Sequence, residues 1–312
     1  MLKVVGLFGF NFVSYLYRKS TNLLSFPWLF INRAKYEQEL VLTSKNKVRE
    51  LKKLHPKNDY EIFRNKVRQI FLGENCHNFL RDSLIQQIMF IGNSYRTTIE
   101  FFKIYFLYKE FRYLLKEDNV GNPLPFWLYP NSSGNRIHHI FHLIKLINLN
   151  KKNLNEYDLI IEFGGGYGSF CRLSKLYNYK NDYLIFDFNE VNIMQFYYLK
   201  HFYKDIEINK KSKISLISEI KDLNTLLNNF YIDKKILFIS HWAISETPLK
   251  TREEIFNITD NLKINYFIAF QEKFLNVNNS KYFDIKFKNK IKSKEEFTVN
   301  FEKHYYLYSE NF

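Results

Sequence analysis

A short apolar run that leads directly into a glycine turn constrains this 312-residue chain more than any other feature. The run reads Leu-Ile-Ile-Glu-Phe and ends at Phe163, and glycine then occupies Gly164, Gly165, Gly166 and Gly168. Glycine permits positive φ and close approach of a ligand to the main chain, and a helix that starts after such a turn offers unpaired N–H groups. The sequence therefore predicts a buried strand, a ligand-binding turn and a helix, with a nucleotide-like cofactor as the fitting ligand.

The spacing of the glycines separates this turn from two well-known fingerprints. Counting from Gly164, the third glycine position of G-x-G-x-x-G falls on Ser169, and no G-x-x-x-x-G-K-[ST] is present, so a dinucleotide fingerprint and a P-loop are excluded here. The pattern that is present is E-x-G-x-G-x-G, which begins at Glu162. Asp187 follows Gly168 by about 20 residues at the end of the next predicted strand, where a carboxylate can accept both hydrogen bonds of a ribose diol.

Several short apolar runs alternate with helical segments in the second half of the chain. They cover residues 158–163, 182–188, 213–217, 235–240 and 265–270. This alternation predicts an α/β fold with a doubly wound, mainly parallel Rossmann-like sheet that helices cover on both faces. Residues 281–292 and 304–309 alternate in polarity and predict a terminal antiparallel pair.

The first part of the chain has the apolar spacing of helices. We predict a helical region over residues 1–120 that forms a lid and the acceptor side, a loop and connecting helix over 121–150, and the cofactor-binding domain over 151–312. The connecting helix carries His138 and His142 on one face, because residues four apart are neighbours on a helix surface, whereas His139 points about 100° away.

Composition narrows the class of protein further. Lys and Arg number 46 against 32 Asp and Glu, which gives a formal charge of +14, and 46% of the residues are hydrophobic, so disordered and collagen-like chains are excluded. Cys76 and Cys171 lie far apart and outside any C-x-x-C, which excludes a disulfide framework and a cysteine zinc site and predicts an intracellular, cytoplasmic protein. The lysines are spread along the chain, so the charge does not favour nucleic acid as the partner.

Two windows of the sequence concentrate basic residues. In residues 286–294 lysine occupies every second position, which predicts a solvated edge strand with its lysines on one face. Residues 204–213 mix lysine with acidic residues and predict a solvated connector.

Residues 1–30 are apolar and aromatic around Arg18 and Lys19. They contain no unbroken apolar run of about 18 residues and no small-residue cleavage site, so neither a membrane span nor a signal peptide is predicted. A helix packed on its own domain is favoured. A helix lying on a membrane surface is the alternative, and it would give the cytoplasmic protein a peripheral membrane contact.

The motifs together resemble a known family. Residues 162–168 resemble motif I of the class I S-adenosylmethionine-dependent methyltransferases. Adding residues 187–191, 195–199 and 240–246 and the helix around 135–142, the chain from about residue 118 onwards is similar to the sugar O-methyltransferase family. Relatives commonly have D-L-P after the second strand, whereas Phe188 and Asn189 follow Asp187 here.

The resemblance implies S-adenosylmethionine as the cofactor and a hydroxyl of a saccharide or glycoconjugate, such as a polysaccharide, as the methyl acceptor. It implies that Gly164, Gly166 and Gly168, with Gly165 in the same turn, line the methionine and ribose end of the cofactor. Glu162 would order the turn and Asp187 would hold the ribose. Ser218, Glu219 and Asp222 are equivalent candidates for the adenine contact, and residues 241–246 would face the substrate. Oligomeric state is not indicated.

The predicted reaction calls for a base and a sugar-binding surface. A neutral hydroxyl is a poor nucleophile, and a general base contributes about 10²- to 10⁴-fold to the rate. Histidine suits this role at neutral pH, and the candidates are His241, His138 and His142. No metal is expected, because H-E-x-x-H and a carboxylate cluster are absent from the sequence. Trp127 and Tyr129 are candidates for stacking on a sugar ring, with packing at a domain junction as the alternative.

Three other functions compete with this interpretation. A nucleic-acid methyltransferase would account for the basic charge, although N-P-P-[YFW] is absent after the fourth strand. A glycosyltransferase would use Asp187 and Asn189 as a D-x-D-like pair, which the upstream glycine turn disfavours. A catalytically inactive scaffold would share the fold alone.

Overall fold

The computed structural model describes residues 31–52, 58–89, 94–274, 276–297 and 303–312. Residues 1–30, on which the predicted membrane-surface helix falls, lie outside these ranges. The chain divides into two compact units, Met1–Thr43 and Ser44–Phe312, and the described part of the first unit is the start of helix α1 (Ile31–Glu50). Within the ranges given, no helix combines the length and apolarity needed to cross a membrane.

An eight-stranded sheet forms the centre of the second unit. Its order is β11-β12-β8-β7-β3-β4-β6-β5. The strands are β3 (Leu159–Phe163), β4 (Asp182–Phe186), β5 (Ile206–Ile208), β6 (Ile214–Ile217), β7 (Lys235–His241), β8 (Lys263–Gln271), β11 (Ile291–Glu296) and β12 (His304–Ser309). All neighbouring strands from β5 to β8 are parallel, and β12 runs antiparallel to both β8 and β11. The predicted doubly wound, mainly parallel α/β fold is confirmed.

Helices surround this sheet and precede it. Before the sheet come α2 (Asp59–Leu72), α3 (Ser83–Ile88), α4 (Tyr95–Phe102), the hairpin β1 (Pro125–Phe126) and β2 (Tyr129–Ser133), and α5 (Gly134–Asn150). Between and after the strands come α6 (Ser169–Leu176), α7 (Asn189–Lys200), α8 (Ile220–Phe230), α9 (Ala243–Glu246), α10 (Leu249–Thr259), the short pair β9 (Lys273–Phe274) and β10 (Val277–Asn278), and α11 (Asn279–Lys286). Helical turns also cover Cys76–Arg81, Lys109–Leu115 and Leu154–Glu156.

Helix α5 lies closest to the site and is buried on most of its surface. The Ser133 hydroxyl caps it by accepting a hydrogen bond from the main-chain N–H of Arg136 at 3.0 Å. Arg136 is itself fully buried, and its guanidinium pairs with Glu117 and Asp118 at 2.9 Å. Because most of the helix surface is covered, polar side chains on different faces of α5 lie inside the protein, where most of them have hydrogen-bond partners.

The order of the strands fixes where a ligand can bind. From β3 the chain passes to β4 and β6 on one side of the sheet, and it then returns to the other side to form β7 and β8. The carboxyl ends of β3 and β7 therefore border the crevice at which ligands of open α/β sheets bind.

Within the predicted helical region, α4 ends at Phe102 and is followed by a π-helical turn (Lys103–Leu107) and a 3₁₀ turn (Lys109–Leu115). Two sequence predictions were wrong in detail. The lysine-rich window 286–294 is not one strand. Residues 204–213 contain the edge strand β5 rather than a connector alone.

The structure also corrects the prediction for the C-terminal strands. The terminal antiparallel pair exists, but its first strand is limited to β11, because residues 279–286 are the helix α11. The Asn278 side chain caps that helix by accepting from the main-chain N–H of Lys281, and Phe283 and Phe287 are buried behind it. The predicted division at residues 120 and 150 stays a prediction.

Candidate active site

The glycine turn after β3 is held in a shape that needs glycine. Gly164, Gly166 and Gly168 have φ values of 75°, 55° and 92°. A Cβ on Gly164 would lie 2.1 Å from the Cβ of Ala243, in the helix that follows β7. A Cβ on Gly165 would lie 2.6 Å from a methyl group of Ile185, whereas at Gly166 the nearest atom would be the sulfur of Met89 at 3.8 Å. The turn thus packs tightly against the sheet and against α9, and it is open at Gly166.

Glu162 lies beneath this turn as a buried carboxyl group. Its Oε2 accepts a hydrogen bond from the Tyr183 hydroxyl at 2.8 Å. Burial raises the pKa of Glu162 to about 8, because the interior solvates the carboxylate poorly, while the Tyr183 hydrogen bond opposes that rise. At neutral pH Glu162 is therefore largely protonated and can also donate a hydrogen bond.

Asp187 lies next to the turn, directly after β4. Its Oδ1 accepts from the main-chain N–H of Phe188 at 2.8 Å, and its Oδ2 accepts from Nε2 of Gln195 at 3.0 Å. Main-chain N–H groups of Gly165 and Gly166 also bond this carboxylate, and burial, the larger effect, raises the pKa of Asp187 to about 7. The same Gln195 amide donates to the carbonyl of Gly166 at 2.9 Å, so one side chain links the glycine turn to the carboxylate.

The helix that carries Gln195 is fixed from the outside by a buried ion pair. Glu190 of α7 has no exposed side-chain surface and is bonded by Arg64 at 2.7 Å and by Arg68, both from α2. Breaking a buried pair by removing one partner typically costs about 3–5 kcal/mol. This pair therefore ties the helical region to the Asp187–Gln195 side of the site.

A cavity of about 290 Å³, whose wall is mostly apolar but carries several polar side chains, lies near the glycine turn. Two helices connect the cavity to the glycine turn. Ala243 of α9 touches Gly164, while Trp242 and Glu246, on either side of it, line the cavity. Met89, directly after α3, lies over Gly166, while Gln86 and Gln87 of α3 line the cavity. The full lining is Gln86, Gln87, Ser94, Arg96, Thr97, Glu100, His138, Trp242, Glu246, Gln271 and His304. The cavity holds hydrogen-bonding groups of every kind around one indole ring.

A row of hydrogen bonds leads from this cavity into the interior. Glu100 pairs with Arg96 at 2.8 Å and with Nδ1 of His138 at 2.9 Å. Nε2 of His138 lies 2.8 Å from Nε2 of His142, and Nδ1 of His142 lies 2.8 Å from the Tyr306 hydroxyl. The row Glu100–His138–His142–Tyr306 therefore joins α4, α5 and β12.

The protonation of the row follows from burial and charge. Burial lowers the pKa of His138 and, more strongly, of His142, and Arg96 adds to the effect in both cases. With both rings neutral and Glu100 as a carboxylate, His138 donates from Nδ1, so its Nε2 must accept from His142. Nδ1 of His142 then accepts from Tyr306. One assignment of protons satisfies every member of the row.

His241 ends β7 on the interior side of this row. Its ring stacks on His142, with centroids 4.4 Å apart, and it meets the Phe170 ring edge-on at 4.6 Å. Burial lowers the pKa of His241 to about 3, and its buried Nε2 has no hydrogen-bond partner among the described residues. The ring of His139 is 6.0 Å from that of His241, so this histidine, predicted to point elsewhere, belongs to the same cluster.

Trp242 connects the cluster to the cavity through an unusual main-chain conformation. Its φ of 64° lies in a region that bulky residues rarely adopt, and such strain is concentrated at functional sites. The indole Nε1–H donates to Nδ1 of His304 at 2.9 Å, and the guanidinium of Arg96 lies over the indole ring at 5.6 Å. The strained turn thus presents the indole to the cavity instead of to the core.

The cavity has a second carboxylate, Glu246, beside that of Glu100. Glu100 is engaged by Arg96 and His138, whereas no described residue makes a hydrogen bond or ion pair to the Glu246 carboxylate. Burial raises its pKa. The Tyr60 hydroxyl donates to the main-chain carbonyl of Glu246 at 3.2 Å and fixes the end of α9.

The structure brings the predicted residues together unevenly. Glu162, the four glycines and Asp187 form one side, as the spacing predicts. Of the three candidate bases, His138 lines the cavity, whereas His142 and His241 lie behind it. Trp127 and Tyr129 are absent from the cavity lining, and Tyr129 stacks on Phe101 instead. Ser218, named for the adenine contact, donates to Asn189 at 2.6 Å.

Sequence reasoning missed Arg96, Glu100 and Tyr306, which hold the predicted residues in place. It included Gln195 in a motif of the resemblance but gave this residue no role. Only Arg96 and Glu100 left a readable signal, an oppositely charged pair spaced four apart on a helix. No group of three or more His, Cys, Asp or Glu side chains within the described ranges is arranged to hold a metal ion.

The chain is similar in fold to solved structures of other proteins. No protein-family model matches the chain, and no curated protein matches it in sequence. A solved structure of magnesium protoporphyrin IX methyltransferase from Synechocystis, with bound S-adenosylmethionine, matches at 10% identity over 70% of this chain and 98% of its own, with a TM-score of 0.41. A Thermoplasma acidophilum protein matches at 8% identity over 56% and 89%, with a TM-score of 0.39. A SAM-dependent methyltransferase from Aquifex aeolicus matches at 12% identity over 54% and 88%, with a TM-score of 0.37.

Proposed function

We propose that this protein is an S-adenosylmethionine-dependent O-methyltransferase whose acceptor is a hydroxyl group of a saccharide or glycoconjugate. The observation that carries the proposal is the pairing, at the crevice between β3 and β7, of a glycine turn and Asp187 with a nearby cavity in which polar side chains surround an indole ring. Nucleotide-type ligands of doubly wound sheets bind at this place.

The residues of the glycine side fit the cofactor. The open side of Gly166 leaves room for a ligand against the main chain, and the buried Oε1 of Gln195, beside Asp187, has no partner among the described residues. When bound, S-adenosylmethionine supplies an electrophilic methyl group. Asp187 would hold the ribose hydroxyls, Gly164, Gly165, Gly166 and Gly168 would line the turn, and protonated Glu162 would keep the turn in shape.

The cavity supports a small polyol as the acceptor. Its volume of about 290 Å³ is at the lower end of ligand pockets and corresponds to about ten waters, which suits a single sugar ring. Trp242 contributes an indole ring to the lining, and glutamine, glutamate, arginine and histidine side chains surround it. Aromatic faces beside polar groups match the alternation of C–H and O–H groups on a sugar. The Glu246 carboxylate would accept a hydrogen bond from one of these hydroxyls.

Among the histidines, we assign the general base to His138. It is the histidine of the Glu100–His138–His142–Tyr306 row that lines the cavity, and Glu100 holds its Nδ1–H. To take up the proton at Nε2, His138 would exchange its hydrogen bond from His142 for one from the acceptor hydroxyl, and His142 would keep its own proton. The Glu100 carboxylate would stabilise the resulting imidazolium through its bond to Nδ1–H. His142 and His241 would then position His138.

The cofactor assignment is tested by calorimetric titration of the purified protein with S-adenosylmethionine, S-adenosylhomocysteine, NAD and a UDP-sugar. We expect saturable binding of the first two alone, and a loss of at least about tenfold in Asp187→Ala. Asp233→Ala removes an exposed aspartate far along the chain and should bind like the wild type. If the folded protein binds neither S-adenosylmethionine nor S-adenosylhomocysteine, the proposal is refuted and an inactive scaffold is favoured. Selective binding of the UDP-sugar would favour a glycosyltransferase.

The acceptor assignment is tested with labelled S-adenosylmethionine and a panel of free sugars, methyl glycosides, nucleotide sugars and oligonucleotides. We expect label in a saccharide, with kcat lowered about 10²- to 10⁴-fold in His138→Gln and a smaller change in His139→Gln. Label in the oligonucleotides would support the nucleic-acid alternative. If Glu246→Gln lowers kcat as much as expected for His138→Gln while His138→Gln has little effect, the base is Glu246.

A further inference from the structure

Aromatic side chains are exposed together at the end of α4, away from the cavity lining. The π-helical turn that follows α4 leaves Phe106 58% and Leu107 69% exposed. Phe102 and Tyr105 beside them are also exposed, as are Trp127 and Leu128 at the tip of the β1–β2 hairpin. We call this set of six side chains the aromatic tip.

Ring contacts make the aromatic tip continuous. Phe102 stacks on Phe106 with centroids 6.1 Å apart, and Tyr105 meets Phe106 edge-on at 5.4 Å. The buried ring of Phe101 lies within 6 Å of Phe102, Tyr105 and Phe126, and Phe126 lies against Trp127 at the hairpin tip. The turn and the hairpin therefore share one apolar support.

The turn is held firmly in this outward-facing shape. Ile104 is fully buried, and the N–H of Tyr108 donates to the carbonyl of Lys103 at 3.0 Å to close the π turn. Arg112 donates to the carbonyl of Tyr105 at 2.6 Å, and its guanidinium lies over the Tyr105 ring at 4.4 Å. π turns are rare and are frequently found at functional sites. Exposed apolar groups that are this well supported indicate an interaction surface.

The charge around the aromatic tip indicates which partner fits. Residues 102–116 carry Lys103, Lys109, Arg112 and Lys116 against the single acidic residue Glu110. The next acidic residues, Glu117 and Asp118, are paired with two arginines, Arg136 with both and Arg172 with Asp118. The tip is thus an aromatic surface with a local excess of positive charge, on a chain whose formal charge is +14.

We propose that the aromatic tip docks on an anionic lipid surface. Phe, Tyr and Trp side chains insert at the boundary between acyl chains and headgroups, and lysines near the surface are attracted by anionic headgroups with about 1 kcal/mol each. This docking does not depend on the proposed reaction. It places α4, whose other face supplies Arg96 and Glu100 to the cavity, next to the membrane.

The test is co-sedimentation of the full-length protein with vesicles of phosphatidylcholine alone or with about one-third phosphatidylglycerol. We expect binding to the anionic vesicles, weakened at least about tenfold by F106S/L107S and, separately, by K109E/K116E. Ile285→Ser on α11 removes a side chain that is 76% exposed outside the tip, and it should bind like the wild type. All these positions are exposed, so unfolding midpoints should be unchanged.

Two outcomes would overturn the proposal. The first is that the wild type binds neither kind of vesicle, or that F106S/L107S binds vesicles as well as the wild type does. The latter result would assign the lipid contact to another segment. In the other, F106S/L107S converts an oligomer to a monomer in size-exclusion chromatography without changing vesicle binding, which would make the tip a protein–protein contact.

Discussion

The glycine side of the candidate site is formed by one short stretch of the chain, whereas the acceptor side is formed by many separate elements. The glycine side lies within residues 162–195 and uses main-chain groups of one turn together with three side chains, Glu162, Asp187 and Gln195. The acceptor side collects side chains from α3, α4, α5, α9 and the ends of β7, β8 and β12, which lie far apart in the sequence. A local sequence motif therefore identifies the glycine side, whereas the acceptor side is assembled only when the chain folds.

The largest expected effect is on the glycine side. Gly164→Ala adds a Cβ at a φ of 75° and 2.1 Å from the Cβ of Ala243, so strain and overlap combine. We expect a loss of about 3 kcal/mol or more in the free energy of unfolding, together with loss of S-adenosylhomocysteine binding. Urea denaturation and calorimetry measure the two quantities.

Gly166→Ala is the matched control for this change. Its φ of 55° is also positive, but the new Cβ would meet only the sulfur of Met89 at 3.8 Å, so we expect about 1 kcal/mol from strain alone. Adding Ala243→Gly to Gly164→Ala should restore part of the lost stability. Equal losses at Gly164 and Gly166 would show that packing against α9 is unimportant.

The second effect separates the two sides by pH. The pKa of Glu162 is raised to about 8 in the folded protein, so the folded state holds a proton that the unfolded state has released, and stability falls as the pH rises towards 8. The pKa of His241 is lowered to about 3, so the unfolded state binds the extra proton, and stability falls as the pH drops below about 6.5.

Chemical denaturation between about pH 5 and pH 9 measures both limbs, each with a slope of at most about 1.4 kcal/mol per pH unit per group. Between about pH 4.5 and 6.5 the two slopes oppose each other. Glu162→Gln should reduce the alkaline slope without abolishing it, because Asp187 also has a raised pKa. His241→Gln should reduce the acid slope in the same partial way, because the pKa values of His138, His139 and His142 are lowered as well. A variant that shifts the whole curve without changing either slope would contradict the assignment of the titrating group.

The third effect is confined to the acceptor side. Glu246→Gln removes a charge that no described residue compensates, and we expect KM for the saccharide acceptor to rise about tenfold, while S-adenosylhomocysteine affinity and the free energy of unfolding are kept. Steady-state kinetics with the acceptor found in the panel gives KM. Glu74→Gln, at an exposed position, is the control. A matching loss of cofactor affinity would mean that the two sides are not separable.

The smallest effect tests whether the histidine row acts as one unit. Tyr306→Phe leaves Nδ1 of His142 without its hydroxyl partner and should cost about 1 kcal/mol. A double-mutant cycle with Glu100→Gln, at the opposite end of the row, should give a coupling energy of about 0.5 to 1 kcal/mol. Strict additivity would mean that the four residues are independent pairs.

The structural features that depend on the local sequence alone were predictable. The glycine turn, the strands β3, β4, β6, β7 and β8 and the position of Asp187 after β4 follow from apolar runs and glycine spacing alone. The start of the strand predicted over residues 281–292 was misjudged because alternating polarity has the period of a strand, while burial of Phe283 and Phe287 and the Asn278 cap decide for a helix over 279–286. Tertiary packing overrode the local pattern there.

The acceptor side was not readable in the same way. His138 and His142 were found because they are four apart on a helix, but their partners Glu100 and Tyr306 come from elements about 40 and 160 residues away, which no spacing rule connects. His139, which points about 100° away from His138 on α5, still reaches the same cluster, because the helix is covered on most sides.

The contact between Gly164 and Ala243 has a consequence for the evolution of the site. One residue belongs to the turn after β3 and the other to the helix after β7, and there is no room for a second Cβ between them. A lineage that enlarges one position must therefore reduce the other in compensation, so homologues should show correlated substitution at these two sites. The two walls of the crevice would then diversify together, although they do different work.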